Sequence, residues 1–353
     1  MSKRIVMGVL MPSIYIGGGE NATLFAIEHT DTRYIHWHIV VVTDPWVTES
    51  LLWRFADSVK VYYEGNCYYR GEKMPMNIQH ALMELDLCDG VISWELDEKR
   101  SKMFSACKGR KIHWIFRHDV NHKKFVHNDH ILLTCSEGCI PDFGNVDRNR
   151  IFIIPSAFEP QHCYTHKSKY AIREEWGIKE ELVIGYLGRM DRNKNIYAVA
   201  RTVAGLTNMI AICYGSKNSQ SPEIERDIAK IAGDRLIWHE PILNVGEVLK
   251  GVDVLMLPSY SEVFSLTLLE AWALKTPVVC SDVGEVPFIQ KKYGKVCTLI
   301  DPNADADTIR KKIFESINDI EAIERAHNIV IEHYNTDIVS DKWTRFLLNS
   351  ISL

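Results

Sequence analysis

The stretch Pro258–Val279, PSYSEVFSLTLLEAWALKTPVV, decides the fold. It follows the apolar run VDVLML (252–257) and leads into a second one, PVVC (277–280). Near-continuous Val, Leu and Met runs fit strands buried on both faces, and a helix between two such strands makes a parallel βαβ unit. Leu266, Leu269 and Ala273, flanked by Leu268 and Trp272, give the intervening segment one apolar face, with Ser265 or a neighbour expected to cap it. The same stretch carries two acids, Glu262 in the turn and Glu270 within the first two helical turns. Carboxylates are seldom buried without a partner, and so apolar a helix has little exposed face on which to solvate them. Both acids are therefore expected beside the helix N-terminus, where unpaired N–H groups lie and where open α/β sheets bind ligands.

The same alternation runs outward in both directions. After residue 180 the apolar runs are LVIGYLG (182–188), MIAICYG (209–215), RLIWH (235–239) and GKVCTLI (294–300). Before it they are RIVMGVLM (4–11), WHIVVVT (37–43), VKVYY (59–63), DGVISW (89–94), KIHWIF (111–116) and HILLTC (130–135), with helical or irregular segments between. The polar stretch 161–181 reads as the linker and the entry to a second unit. The expected organisation is an N-terminal Rossmann-like domain at 1–160 and a second one at 161–335. Residues 336–353 then form an amphipathic helix, with Ile338, Val339, Trp343, Phe346 and Leu347 on one face, that packs back on the first domain.

Bulk properties narrow the function. At 353 residues the chain has room for two cores, and a net charge of −5 gives no global field toward nucleic acid or anionic lipid. Nine singly scattered cysteines read as small core residues in a reducing compartment. The N-terminal apolar run is shorter than a signal core, and nothing approaches the ~18–20 apolar residues of a membrane span. A cytoplasmic location is expected, with peripheral contact at a membrane surface still open.

Residues following the strands carry the candidate chemistry. Gly17, Gly18 and Gly19 lead from the first strand into a helix, so the backbone can approach a ligand closely. Arg189 and Lys194 follow LVIGYLG and put two cations where a diphosphate can lie. The segment 99–124 holds nine Lys or Arg against one Asp, which reads either as solvated loops or as a site for an anionic acceptor such as a glycan, a lipid headgroup or nucleic acid. A metal held by His118, His122, His127 and His130 is the weaker alternative, since no Cys or carboxylate completes the set.

These residues reach a resemblance. GYLGRMDRNKN resembles the G-R-x(4)-K element, and LPSYSEVFSLTLLEAWALKTPVVCSDVGEVP the E-x(7)-E element, of the retaining nucleotide-sugar glycosyltransferases of family 4. The likeness is good over residues 180–300 and rests on GGGEN and FRHDV before that. It implies an α/β architecture of two Rossmann-like domains facing a cleft, the GT-B fold. It also implies transfer of a sugar from a nucleoside-diphosphate sugar to an acceptor hydroxyl, with retention of configuration and neither metal nor cofactor. By this resemblance Arg189 and Lys194 neutralise the diphosphate, Glu262 holds the transferred sugar and Glu270 the ribose. Backbone groups at Phe264, Ser265, Leu266 and Thr267, with Gly18 and Gly19, complete the donor site. His118 matches a histidine beside the donor sugar, with Arg117 and Asp119 on the acceptor side. Ser265, Lys275 and Glu285 stand where the pattern has Gly, and Phe288 stands near its usual third acid. These departures motivate the alternative of a non-catalytic GT-B protein that binds a sugar nucleotide or a partner.

Overall fold

A computed structural model describes residues 4–14, 18–44, 46–94, 96–115, 124–143, 146–178, 182–242 and 244–351. The chain divides into two compact units, Met1–Ala157 with Thr336–Leu353, and Phe158–Asn335.

Among the described residues the first unit holds a nine-stranded sheet: β1 (Ile5–Met11), β2 (Ile35–Val42), β3 (Lys60–Tyr63), β4 (Asn66–Tyr69), β5 (Glu72–Pro75), β6 (Gly90–Trp94), β7 (Arg110–Ile115), β8 (Ile131–Thr134) and β9 (Ile151–Ile153). The order is β5-β4-β3-β2-β1-β6-β7-β8-β9. Period-2 alternation feeds two cores: Met7, Val9 and Met11 enter one face, and Leu10 the other. The helix Thr336–Ile351 lies on the first of these. Trp343 meets the Trp114 ring at 4.7 Å, Phe346 meets Phe152 at 5.0 Å, and the Asp31 backbone N–H donates to the Thr344 hydroxyl at 3.1 Å.

An all-parallel sheet was the expectation here, and the structure corrects it. β3 pairs with β4, and β4 with β5, in antiparallel register. Both connections are two-residue turns with positive φ at both central positions, Glu64 (43°) and Gly65 (76°), then Arg70 (47°) and Gly71 (81°). That geometry matches the right-handed twist of a hairpin. The repeated X-Gly pair, six residues apart, was the sequence signal for it.

The second unit holds β10 (Leu182–Leu187), β11 (Met209–Tyr214), β12 (Leu236–His239), β13 (Val254–Leu257), β14 (Val278–Ser281) and β15 (Thr298–Ile300), all parallel, in the order β12-β11-β10-β13-β14-β15. Counted within the unit this is 3-2-1-4-5-6, the doubly wound Rossmann order. Val183, Leu187, Leu255 and Leu257 enter one core, and Ile184, Tyr186, Val254 and Met256 the other. All nine cysteines are free and buried.

Candidate functional site

In a doubly wound sheet the connections reverse direction at one point, and loops leaving the carboxyl ends of the two strands there diverge to leave a crevice. In the second unit that point lies between β10 and β13, which pair in parallel. The loop after β10 carries Arg189 and Lys194; the loop after β13 carries Glu262 and the start of the helix Leu266–Ala273.

Backbone and side-chain bonds lace these two loops together. Asn195 is buried in the left-handed conformation (φ 53°), which Asn tolerates better than most residues. Its amide donates to the carbonyls of Pro258 at 3.1 Å and Pro302 at 2.9 Å. The Tyr260 N–H donates to the Asn193 carbonyl at 2.8 Å, and the Asn193 amide donates to the Ser261 carbonyl at 2.9 Å. The strand ends behind them are equally close. A Cβ at Gly215, after β11, would stand 1.8 Å from the Gly188 carbonyl oxygen.

The lacing brings the predicted cation and acid together. The Lys194 ammonium donates to Glu262 Oε1 at 2.5 Å, and the Ser259 hydroxyl donates to the same oxygen at 2.7 Å. Asp191, 6 % exposed, accepts from Arg189 Nε at 2.9 Å through Oδ2 and from the Lys194 backbone N–H at 2.9 Å through Oδ1. The buried Tyr186 hydroxyl donates to the Arg189 carbonyl at 2.9 Å.

The helix Leu266–Ala273 follows at once. Phe264, Ser265, Leu266 and Thr267 are half-buried at its start, with the Phe264 ring 5.5 Å from Tyr334. Two expectations need correcting. Ser265 occupies the N-cap position with extended dihedrals, but its hydroxyl accepts no capping bond. The buried face is Leu268, Leu269, Ala271, Trp272 and Ala273, while Leu266 is only half-buried. All five of these buried residues enter one core, and Leu266, in the first turn, stays outside it.

Glu270 has a different environment from Glu262. Burial pushes its carboxyl up to about 7, and the negative charge of Glu159 adds to that. Glu159 is itself buried and accepts from the Gln161 amide at 2.7 Å.

Two backbone positions hold this region in shape. Gly284 has φ 65°, and a Cβ there would stand 2.6 Å from the Val263 carbonyl oxygen and 2.9 Å from that of Glu262. Gly284→Ala is expected to destabilise the fold by about 1–3 kcal/mol and to displace the Glu262 loop. A thermal melt indistinguishable from wild type would refute this. Lys275 ends the helix with φ 58°; its N–H donates to the Trp272 carbonyl at 3.1 Å and that of Thr276 to Ala271 at 2.9 Å. This is the double bond pattern that usually carries Gly at the left-handed position. Lys275→Gly should stabilise by about 1 kcal/mol, less the small contribution of the exposed Lys275–Glu324 ion pair. A lowered melting temperature would contradict that expectation.

Other sequence candidates lie elsewhere. Gly18 and Gly19 open the helix Gly18–His29 after β1, in the first unit. Arg117, His118 and Asp119 lie outside the described residues, as does His122. The basic segment is substantially charge-compensated: Lys102 meets Glu98 at 2.8 Å, Lys108 meets Asp86 at 3.5 Å, Lys111 meets Asp129 at 3.7 Å, and Arg100 meets Asp97 at 3.0 Å. Four of its nine cations therefore face acids from the same surface. His127 and His130 pack ring to ring at 5.0 Å, and burial pushes buried His130 down to about 4, as for a core histidine. Sequence reading missed Asp191, which bonds Arg189 and Lys194 within its own loop, and Asn195 and Ser259, which acquire meaning once the two loops meet.

Two Rossmann-like units define the GT-B class of fold. Within that class, residues 168–333, just under half of the chain, match the family model "Glycosyl transferases group 1". The chain is 30% identical over 200 residues to a D-inositol 3-phosphate glycosyltransferase of Corynebacterium jeikeium (strain K411), covering 52% of this chain and 44% of that relative. It is 29% identical over 129 residues to a putative teichuronic acid biosynthesis glycosyltransferase, TuaC, of Bacillus subtilis (strain 168), covering 36% of this chain and 32% of that one. The matched stretches thus span less than half the length of these curated relatives. Among solved structures, Anabaena Alr3699/HepE in complex with UDP-glucose is similar with a TM-score of 0.78 at 14% identity, over 98% of this chain and 100% of that one. WaaG, a glycosyltransferase involved in lipopolysaccharide biosynthesis, is similar with a TM-score of 0.71 at 14% identity, over 96% and 98%. At such identities the likeness establishes the fold. Among the described residues no helix is long and apolar enough to cross a membrane.

Proposed function

We propose that this protein is a glycosyltransferase that moves a sugar from a nucleoside-diphosphate sugar to an acceptor hydroxyl, with retention of configuration and without a metal ion. The observation that carries the reading is the laced loop pair at the β10/β13 switch point, which sets Lys194 2.5 Å from Glu262 beside a helix N-terminus. The family match over residues 168–333 covers both loops and supports it.

The residues divide the work by charge. Departure of a nucleoside diphosphate builds negative charge on its phosphates and positive charge on the sugar. Arg189, Lys194 and the N–H groups opening the helix Leu266–Ala273 stabilise the first. Glu262 accepts hydrogen bonds from the transferred sugar, and Glu270 from the ribose. Retention is assigned to attack on the same face as the departing phosphate, with no protein nucleophile. The two acids are ligand-holding groups here and not a glycosidase acid–base pair. UDP-glucose is the first donor to try, because a similar solved structure holds it. The acceptor is assigned to the anionic class, since the curated relative acts on D-inositol 3-phosphate by name.

A panel of UDP-, GDP-, ADP- and dTDP-sugars tests this by ligand-induced stabilisation and by donor turnover. One donor is expected to raise the melting temperature and to be consumed when the right acceptor is present. Binding without turnover on any donor–acceptor pair would favour a non-catalytic binding protein. If no nucleotide sugar binds, the reading is wrong.

A further inference from the structure

The buried carboxylate between the two cations is unexplained by the donor chemistry. Asp191 sits two residues from Arg189 and three from Lys194, at the end of β10 where a diphosphate is proposed to bind. A negative charge there opposes a diphosphate. A residue that weakens binding of the proposed ligand must do something that offsets it.

Its contacts show what that is. One oxygen takes Arg189 Nε at 2.9 Å, which helps fix the plane of a side chain that is 40% exposed. The other takes the Lys194 N–H at 2.9 Å and so closes the turn that delivers Lys194 to Glu262. A single buried carboxylate therefore orients both cations, one through its side chain and one through its backbone.

We infer that Asp191 is a positioning residue for transfer: it holds Arg189 and Lys194 aimed at the diphosphate, trading ground-state affinity for orientation where charge develops. The role rests on the proposed glycosyltransferase reading. Misplacing a catalytic group by about 1 Å costs on the order of 10²-fold in rate, whereas removing a repelling charge tightens ground-state binding.

The test is Asp191→Asn, which keeps an oxygen for the Lys194 N–H and removes the charge that holds Arg189. With UDP as the binding probe and the best donor from the panel as substrate, kcat should fall ~10–100-fold. The UDP Kd should stay the same or become severalfold tighter. Asp191→Glu, which restores the charge at longer reach, should recover part of kcat. In an Arg189→Ala background, Asp191→Asn should cost much less, because the group it orients is gone. A lowered melting temperature together with weaker UDP binding would mark a merely structural role and overturn the inference. So would an unchanged kcat in Asp191→Asn when the wild-type enzyme turns over. Absence of both turnover and nucleotide binding in the wild type overturns the proposed function, and this role with it.

Discussion

Lys194→Ala is expected to lower kcat for sugar transfer by ~10²–10³ while leaving the melting temperature within a few degrees of wild type. The rate effect follows from where the ammonium sits. It is fixed at the carboxyl end of β10, 2.5 Å from Glu262, so it meets a departing diphosphate already oriented and without reorganisation. The small stability effect follows from what remains. Glu262 keeps its 2.7 Å bond from Ser259, and the 193–195 turn keeps its bonds to the 258–261 loop through backbone and Asn side chains. Lys194 is also partly exposed, so its removal strands no deeply buried charge. A variant turning over within threefold of wild type would remove Lys194 from the mechanism.

Glu270→Gln is expected to act in opposite directions on stability and on binding. The Glu270 carboxyl has an ordinary value of 4.5 in the unfolded chain and about 7 in the fold, raised by burial first and by Glu159 second. Below pH 4.5 both states are protonated and stability is intact. Between 4.5 and about 7 the unfolded chain releases a proton that the folded protein retains, so stability falls as pH rises, and above 7 the loss is complete. The full effect corresponds to about 3 kcal/mol. Glu270→Gln should therefore match wild type near pH 5 and melt several degrees higher at pH 8, about 2–4 °C per kcal/mol for a unit of this size. Nucleotide affinity should move the other way. A charged hydrogen-bond acceptor lost from the ribose costs about 1.5–3 kcal/mol, or roughly 10–100-fold in Kd. In wild type, binding through the ionised carboxylate should be roughly tenfold weaker at pH 6 than at pH 8, because only the ionised fraction is competent. A flat pH profile for UDP binding, with unchanged stability in the variant at pH 8, would show that Glu270 is neither perturbed nor used.

These two acids look alike in sequence and behave differently in the fold. Both fall in one apolar stretch eight positions apart. Glu262 belongs to a turn laced to the β10 loop and is answered by a lysine and a serine. Glu270 lies one turn further along a packed helix, where burial and a second carboxylate disfavour its charge. Spacing located both, but it carried no information about the neighbours, which come from residues 159, 194 and 259.

The basic segment shows the converse. Nine cations in 26 positions read as a strongly charged face, yet Asp86, Asp97, Glu98 and Asp129 lie against four of them. All four acids lie outside the run: Asp97 and Glu98 precede it directly and pair within one helical turn, while strand pairing through β6, β7 and β8 brings in Asp86 and Asp129. Local charge counting fails where the compensating charge arrives through the sheet.

By itself the sequence determined the alternation of strands and helices, the two α/β units and the loops that bear Arg189, Lys194, Glu262 and Glu270. Those are period and spacing effects, written in residues that are neighbours along the chain. The hairpin β3–β5 was written there too, in Glu64-Gly65 and Arg70-Gly71, in a form easily passed over. Only the tertiary structure decided that Lys194 meets Glu262, that Asp191 holds both cations, that Ser265 leaves its helix uncapped, and that Lys275 occupies a left-handed position. The Lys194–Glu262 pair depends on where a loop 68 residues away is pinned, and the other three on which way one side chain or peptide turns within its own loop or helix end. Neither is encoded in the periodicity of any one segment.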